Sequence, residues 1–240
     1  MTISLPPREV ILCISDMHHP FGHPDTVHFL LEIKNKFNPT KIVCIGDEVD
    51  MHSMSFHTHD PELFSPSKEL EKAIESLEPI YRLFPDVDVI ESNHGSLIYR
   101  KQTYHGLPRS VFKSYREILQ APVGWEWHRD LSLRMVNGLD VFFTHGMKAN
   151  VSLLSRHLGV CVVQGHFHSK FKVEYWANSL CMNWAMQIGC LIDDKSLAFT
   201  YNKTTMERPV IGCGIIIDGF PRLIPMILDS KGRWKGSLVG

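Results

Sequence analysis

Asp, Asn and His recur in this chain at the points where apolar runs give out. Val10-Ile11-Leu12-Cys13-Ile14 leads into Asp16-Met17-His18, and Ile42-Val43-Cys44-Ile45 leads into Gly46-Asp47-Glu48-Val49-Asp50. Val87 to Ile90 precedes Asn93-His94, Val141 to Thr144 precedes His145-Gly146, and Val160 to Val163 precedes Gly165-His166-Phe167-His168. Carboxylate oxygen, imidazole nitrogen and amide oxygen together suit borderline divalent metals such as Mn, Fe, Zn, Co or Ni. Short apolar runs of this kind read as buried strands. In an open α/β sheet, ligands gather beyond the carboxyl ends of such strands. A lone Asp-x-His or His-x-His is unspecific; five blocks in order, each after a strand, point to one metal site.

That ordered set resembles the calcineurin-like metallophosphoesterase family, whose pattern runs D-x-H, G-D-x-x-D, N-H-(D/E), H and G-H-x-H. The five blocks span Asp16 to His168. The resemblance implies a four-layer α/β/β/α sandwich, two mixed β-sheets flanked by helices, over residues 1–240 as one domain. It also implies two divalent metal ions, with Mn the first expectation. Asp16, His18 and His168 then correspond to ligands of one ion, Asn93, His145 and His166 to ligands of the other, and Asp47 to the bridge. His94 corresponds to the catalytic histidine, and Asp50 to the residue that orients it by accepting its other ring proton. Two such ions about 3.5–4 Å apart clamp both the attacking and the leaving oxygen of a phosphoryl displacement and make hydroxide available near neutral pH.

The chain departs from the family pattern at two places. Gly95 stands where an acidic residue usually follows Asn-His. Asp50 is followed by Met51-His52, so the arginine with which protein Ser/Thr phosphatases of the superfamily grip phosphate is missing. The retained G-H-x-H favours the phosphodiesterase and nuclease-like branches.

Several elements must position these residues. Helical spacing of Val27, Leu30, Leu31 and Phe37 predicts a helix opening at Pro24 and ending at Asn38-Pro39. It would form a right-handed parallel crossover between the first two strands. Ser65-Pro66 predicts the start of a second helix, which Pro79 should end or kink. Residues 97–120 read as helical, with Val111, Phe112, Tyr115, Ile118 and Leu119 on one face. Asn137-Gly138 between apolar runs predicts a hairpin, which puts an antiparallel neighbour beside the His145 strand, and residues 150–158 predict a short helix. Beyond His168 four strands are expected, at 171–176, 180–188, 210–217 and 222–228, with Asp218-Gly219 turning the last pair.

Composition narrows the class. Of 240 residues, 44% are hydrophobic and 21% charged, near globular averages, and the net charge of -1 gives no overall field favouring nucleic acid or a membrane surface. No apolar run approaches the roughly 20 residues that span a bilayer, and Met1 to Arg8 lacks the features of a signal peptide; a cytoplasmic protein is expected. Six cysteines without C-x-x-C spacing are assigned to packing. The loop histidines His19, His52, His57 and His59 are read as solvated, Arg100 and Lys101 as a charged helical face before phosphate contacts, and Trp125, Trp127, Trp176 and Trp184 as core before base-stacking platforms.

The expected activity is hydrolysis of a phosphate ester, first a phosphodiester of a nucleotide or nucleic acid. The alternatives are a phosphomonoesterase acting on a small metabolite or a phosphoprotein, and a non-catalytic scaffold with the same fold.

Overall fold

A computed structural model describes residues 8–55, 62–196 and 207–238. Its centre is β1 (Val10–Ile14), a strand buried along its whole length. Val10, Leu12 and Ile14 face one apolar cluster, while Ile11 and Cys13 face another. A strand covered on both sides can be apolar at every position, which is why this run shows no alternation.

α1 (Thr26–Phe37) crosses over to β2 (Lys41–Cys44), which pairs parallel to β1. α2 (Pro66–Leu83) leads to β3 (Asp86–Ile90), parallel to β2. β4 (Gly124–His128) pairs parallel to β3. β10 (Gly212–Ile217) and β11 (Phe220–Pro225) return antiparallel on the far side of β1. The first sheet therefore runs β11-β10-β1-β2-β3-β4. The second runs β5-β6-β7-β9-β8, from β5 (Leu131–Arg134), β6 (Asp140–Thr144), β7 (Cys161–Gln164), β8 (Phe171–Ala177) and β9 (Met182–Ile188).

Between the sheets lie Ile11, Cys13, Val43, Ile45 and Ile90 from the first, and Val141, Phe143, Val163, Trp184 and Met186 from the second. α1 and α2 cover the outer face of the first sheet with Phe29, Leu30, Ile33, Leu77 and Ile80. α5 (Val151–Leu158) covers the second sheet through Val151 and Leu154 against Val162 and Ala185. Each such side chain, fully buried, contributes about 1.5–3 kcal/mol. These are the four layers that the family resemblance implied. Both expected turns are present: β5 pairs antiparallel with β6, and Asp218 and Gly219, with φ of 50° and 81°, join β10 to β11.

The structure differs from the sequence reading at four places. α1 begins at Thr26, after Asp25, instead of at Pro24. α2 runs through Pro79 to Leu83, because Leu77, Ile80 and Tyr81 are buried on its inner face and outweigh the roughly 3 kcal/mol cost of an internal proline. Residues 97–120 are not one helix but α3 (Leu97–Tyr104), a 3-10 turn at Arg109–Val111 and α4 (Tyr115–Ile118). Pro108 adopts extended backbone at the break, a Ser114–Glu117 capping box restarts the chain, and Val111 is left exposed. β4 was not anticipated.

Trp125, Trp176 and Trp184 are buried as expected, whereas Trp127 is half-buried. Five of the six cysteines are buried, and Cys181 is half-buried in a turn. No helix among the described residues is long and apolar enough to cross a membrane.

The C-terminal segment is tied to the start of α1 by Asp25. Its buried carboxylate accepts from Arg233 Nε at 2.8 Å, from Arg233 Nη2, and from the Trp234 backbone N–H at 2.9 Å. The Arg233 guanidinium holds the Asp25 carboxyl well below the usual carboxylate range. A depressed carboxyl stabilises the fold above its unfolded value of about 3.9 and loses that contribution as pH falls further. Because Arg233 is largely exposed, solvent screening weakens the pair. Asp25→Ala should therefore lower the melting temperature at pH 7, and the gap from wild type should narrow as pH falls below about 4; a gap independent of pH would refute the charge contribution.

Candidate metal centre

The loops after β1, β2, β3, β6 and β7 bring all nine sequence-selected residues to one end of the two sheets. Backbone bonds lace the loops together: Asp16 N–H donates to Gly46 O at 3.0 Å, His18 N–H to Asp47 O at 2.9 Å, and Leu191 N–H to Asp16 O at 3.0 Å. Asp16, His18, Asp47 and His166 all sit in the left-handed region, with φ of 50°, 48°, 50° and 67°. Non-glycine residues held there mark strained, over-determined positions.

Asp16, His18 and His168 form the first group. Asp16 Oδ1 lies 3.1 Å from His168 Nε2 and 3.8 Å from His18 Nε2, and the two imidazole nitrogens are 3.2 Å apart. The other Asp16 oxygen, Oδ2, accepts from the Ser15 hydroxyl and from the His166 N–H at 2.9 Å, which aims Oδ1 at the imidazoles. Asp47, His145 and His166 form the second group. His145 Nε2 lies 3.1 Å from Asp47 Oδ2, 2.8 Å from Asn93 Oδ1 and 3.2 Å from His166 Nδ1. One oxygen reaches both groups, since Asp47 Oδ2 is also 3.6 Å from His18 Nε2.

The donor set fits divalent cations. His145 Nδ1 is 2.7 Å from the Ile45 carbonyl oxygen, which can only accept, so that nitrogen keeps its proton and Nε2 is the one left to ligate a cation in place of its own proton. His18 is fixed the same way by Asp50 Oδ1, 2.6 Å from its Nδ1. Two buried carboxylates, an amide oxygen and imidazole lone pairs thus converge, which is the arrangement a cation resolves.

Burial alone would raise the Asp16 carboxyl, but hydrogen bonds from His168 and His18 hold it well below its ordinary value. Burial opposes charge on His145, yet Asp47 pushes it up to about 9. Burial raises the Glu48 carboxyl to about 7.

His94 Nδ1 donates to the backbone carbonyl of Asp50, leaving Nε2 as its working nitrogen. The Asp50 carboxylate is 3.5 Å from His94 Nδ1 and bonds His18 instead. Asp50 therefore orients two imidazoles, one through its main chain and one through its side chain. His19 is buried, not solvated, and burial lowers its pKa to about 4. His52 is half-buried at the 3-10 turn 52–54, whose leading N–H groups bond the buried Glu69 carboxylate at 2.6 and 2.8 Å. His57 and His59 lie outside the described residues.

Sequence reading missed four supports: Ser15, Glu69, Gln164 and Gln187. Gln187 Nε2 donates to Gly165 O, while Gln164 bonds Gln187 Oε1 at 3.1 Å, Lys148 O at 2.8 Å and the Met147 N–H at 3.1 Å. This buried pair clamps the loops bearing His145, His166 and His168. Gly165 is required by close approach, because a Cβ there would lie 2.0 Å from Ser15 Oγ and 2.6 Å from Asp16 Oδ2.

Beside the centre lies a cavity of about 1120 Å³ whose wall includes Ser92, Gly95 and Ser96, the chain neighbours of Asn93 and His94, and Glu48, the neighbour of Asp47. Arg100 lines this cavity, so the helix read as a charged face borders it.

Gly165→Ala should cost about tenfold or more in Mn²⁺ affinity measured by titration calorimetry, with the far-ultraviolet dichroism retained. Wild-type affinity in this variant would show that the Ser15–Asp16–His166 contact does not shape the first group.

No family model matches the chain, and no curated protein does. Among solved structures it is similar to Vacuolar Protein Sorting 29 from Cryptosporidium parvum, with 11% identity over 97% of this chain and 95% of that one at a TM-score of 0.50. It is also similar to Chaetomium thermophilum Vps29 in complex with a RaPID-derived cyclic peptide, at 10% identity, 97% and 94% coverage, and a TM-score of 0.50. Yfce, a phosphoesterase from E. coli, matches at 13% identity, 96% and 98% coverage, and a TM-score of 0.43. At such identities the likeness speaks of the fold alone.

Proposed function

We propose that this chain, which has the calcineurin-like metallophosphoesterase fold, is a dinuclear metal-dependent phosphodiesterase acting on a nucleotide or nucleic acid. The observation that carries the reading is Asp47 Oδ2, 3.6 Å from His18 Nε2 and 3.1 Å from His145 Nε2. One carboxylate oxygen between two imidazole sets is what a shared ligand of two ions requires.

Asp16, His18 and His168 would hold one ion, and Asn93, His145 and His166 the other, with Asp47 common to both. Bound there, two Mn²⁺ or similar ions supply the charge stabilisation and nucleophile activation of phosphoryl displacement. The chain's own contributions follow from its hydrogen bonds. The Asp50 carbonyl holds the Nδ1 proton of His94 and so turns Nε2 outward, where the imidazolium form of the ring donates to a phosphate oxygen or to the leaving oxygen. Ser15 and the His166 N–H hold Asp16 in one orientation. Diester preference rests on the cavity lined by Ser92 and Gly95, which flank Asn93 and His94 in the chain and give room to a second ester substituent that a monoester lacks, and on Met51-His52 standing where the phosphate-gripping arginine would be.

Purified protein supplied with Mn²⁺ should bind near two ions and hydrolyse bis-para-nitrophenyl phosphate faster than para-nitrophenyl phosphate. Faster monoester turnover would replace the diester reading with a phosphomonoesterase, and metal binding without turnover of either would favour a scaffold. His94→Ala should lower kcat by about 10²–10⁴ while metal content stays at the wild-type level; unchanged turnover would remove His94 from the reaction. Asp47→Asn should weaken both ions together, and selective loss of one would refute the shared ligand.

A further inference from the structure

The cavity beside the centre has a lining that phosphate-ester chemistry alone does not need. Resting on the phosphodiesterase reading, we infer that it is a nucleotide-binding site, which takes a nucleobase and its flanking phosphate next to the phosphate being cleaved.

The first observation is an aromatic wall. Tyr115 lies between Tyr99, at a ring separation of 6.3 Å, and Trp127, at 5.6 Å and 87°, and Trp127 is 6.1 Å from Trp125. All four line the cavity, as does the half-buried Phe112. Trp127 Nε1 donates to Glu48 at 3.2 Å and Trp125 Nε1 to Phe84 O at 2.9 Å, so the backing rings are locked. A rigid aromatic surface suits a base, because every base presents a π-face.

The second observation is charge. Arg100, Arg109, Lys113 and Arg116 line the cavity and are exposed, against the exposed Glu91 and Glu126 and the buried Glu48. The whole chain carries a net charge of -1, so a concentration of cations here is local. Aromatic faces interleaved with Arg and Lys are the combination that binds single-stranded nucleic acid.

The buried Tyr115 hydroxyl is directed at the Glu48 carboxyl, which fixes its ring in the wall. A simple anion would leave the aromatic wall unused, and an apolar ligand would leave the cations unused.

The test measures binding of a fluorescein-labelled, phosphorothioate-linked strand of about 12 nucleotides, within the 4–16 typical of single-strand sites, to the full-length Mn²⁺-loaded protein by anisotropy. Arg109→Glu with Lys113→Glu should weaken binding at least tenfold. The double change should also flatten the logarithmic salt dependence by about 1.4, for two phosphate contacts at roughly 0.7 each. Phe112→Ala should weaken binding about 5- to 100-fold. Arg134→Glu with Lys172→Glu, on the other sheet, should leave affinity unchanged.

A nucleoside monophosphate that competes as well per nucleotide as the strand would identify free nucleotides as the source of the ligand; a strand at least tenfold stronger would identify nucleic acid. Equal affinity in the Arg109/Lys113 and Phe112 variants, or no binding of either ligand, overturns the nucleotide site, and diester-reporter turnover by wild type would then leave the phosphodiesterase reading standing. Strand binding that depends on these residues, in a protein that hydrolyses no phosphate ester, supports the nucleotide site and sinks the enzyme reading instead.

Discussion

The oxygen of Asp47 that faces His18 and His145 is surrounded by atoms that all prefer a positive neighbour. Asp16, Asn93 and the imidazoles of His166 and His168 complete the same small volume. Collecting two buried carboxylates in one place is unfavourable by desolvation and by mutual repulsion. In the chain alone the burden falls on protons, which is why His18 and His145 are driven toward their charged forms while Asp16 and Asp47 are held ionised. The rest of the fold can be understood as the scaffold that keeps this crowding from relaxing.

Relaxation is blocked in two ways. Main-chain bonds join the loop after β1 to the loop after β2 and to Leu191, so Asp16 and His18 cannot swing away without breaking several at once. Left-handed backbone at Asp16, His18, Asp47 and His166 turns each side chain inward directly after its strand. Such conformations cost of order 1–3 kcal/mol each. The inter-sheet core, from Ile11 across to Trp184 and Ile216, is what can sustain that cost. Strain at the strand ends and dense packing in the strands are parts of one arrangement.

Much of this was legible because each chemical residue follows an apolar strand in sequence, so that strand order alone brings the ligands together. The two sheets, the crossover and both turns were legible for the same reason: their signals are local. Ser15, Gln164 and Gln187 were not, since each looks like an ordinary polar residue until strands about 20 to 150 positions apart are paired. Pro79 does not end α2, because helix propensity says nothing of the core against which the helix is pressed. The break at Pro108 was available in the sequence, yet the periodicity of Val111, Phe112 and Tyr115 hid it. β4 is short and sits at the edge of its sheet, and its two tryptophans read as generic core.

Missing β4 meant missing the cavity, and the cavity connects to a feature that the sequence did display. A Cβ at Gly95 would lie 3.1 Å from Ser92 Oγ and 3.3 Å from the Tyr115 hydroxyl. A carboxylate side chain at that position, as the family pattern has it, would extend into the space where the Tyr115 hydroxyl now ends. The glycine therefore does more than omit a hydrogen-bonding group. It lets Tyr115 reach the loop of Asn93 and His94, and with Tyr115 comes the stack continuing through Trp127 to Trp125. A buried acid is still present, but it is Glu48, held by Trp127 from the far side. Position 95 and the aromatic wall are thus coupled in packing, because any side chain there would meet Ser92 and the Tyr115 ring that the wall is built on.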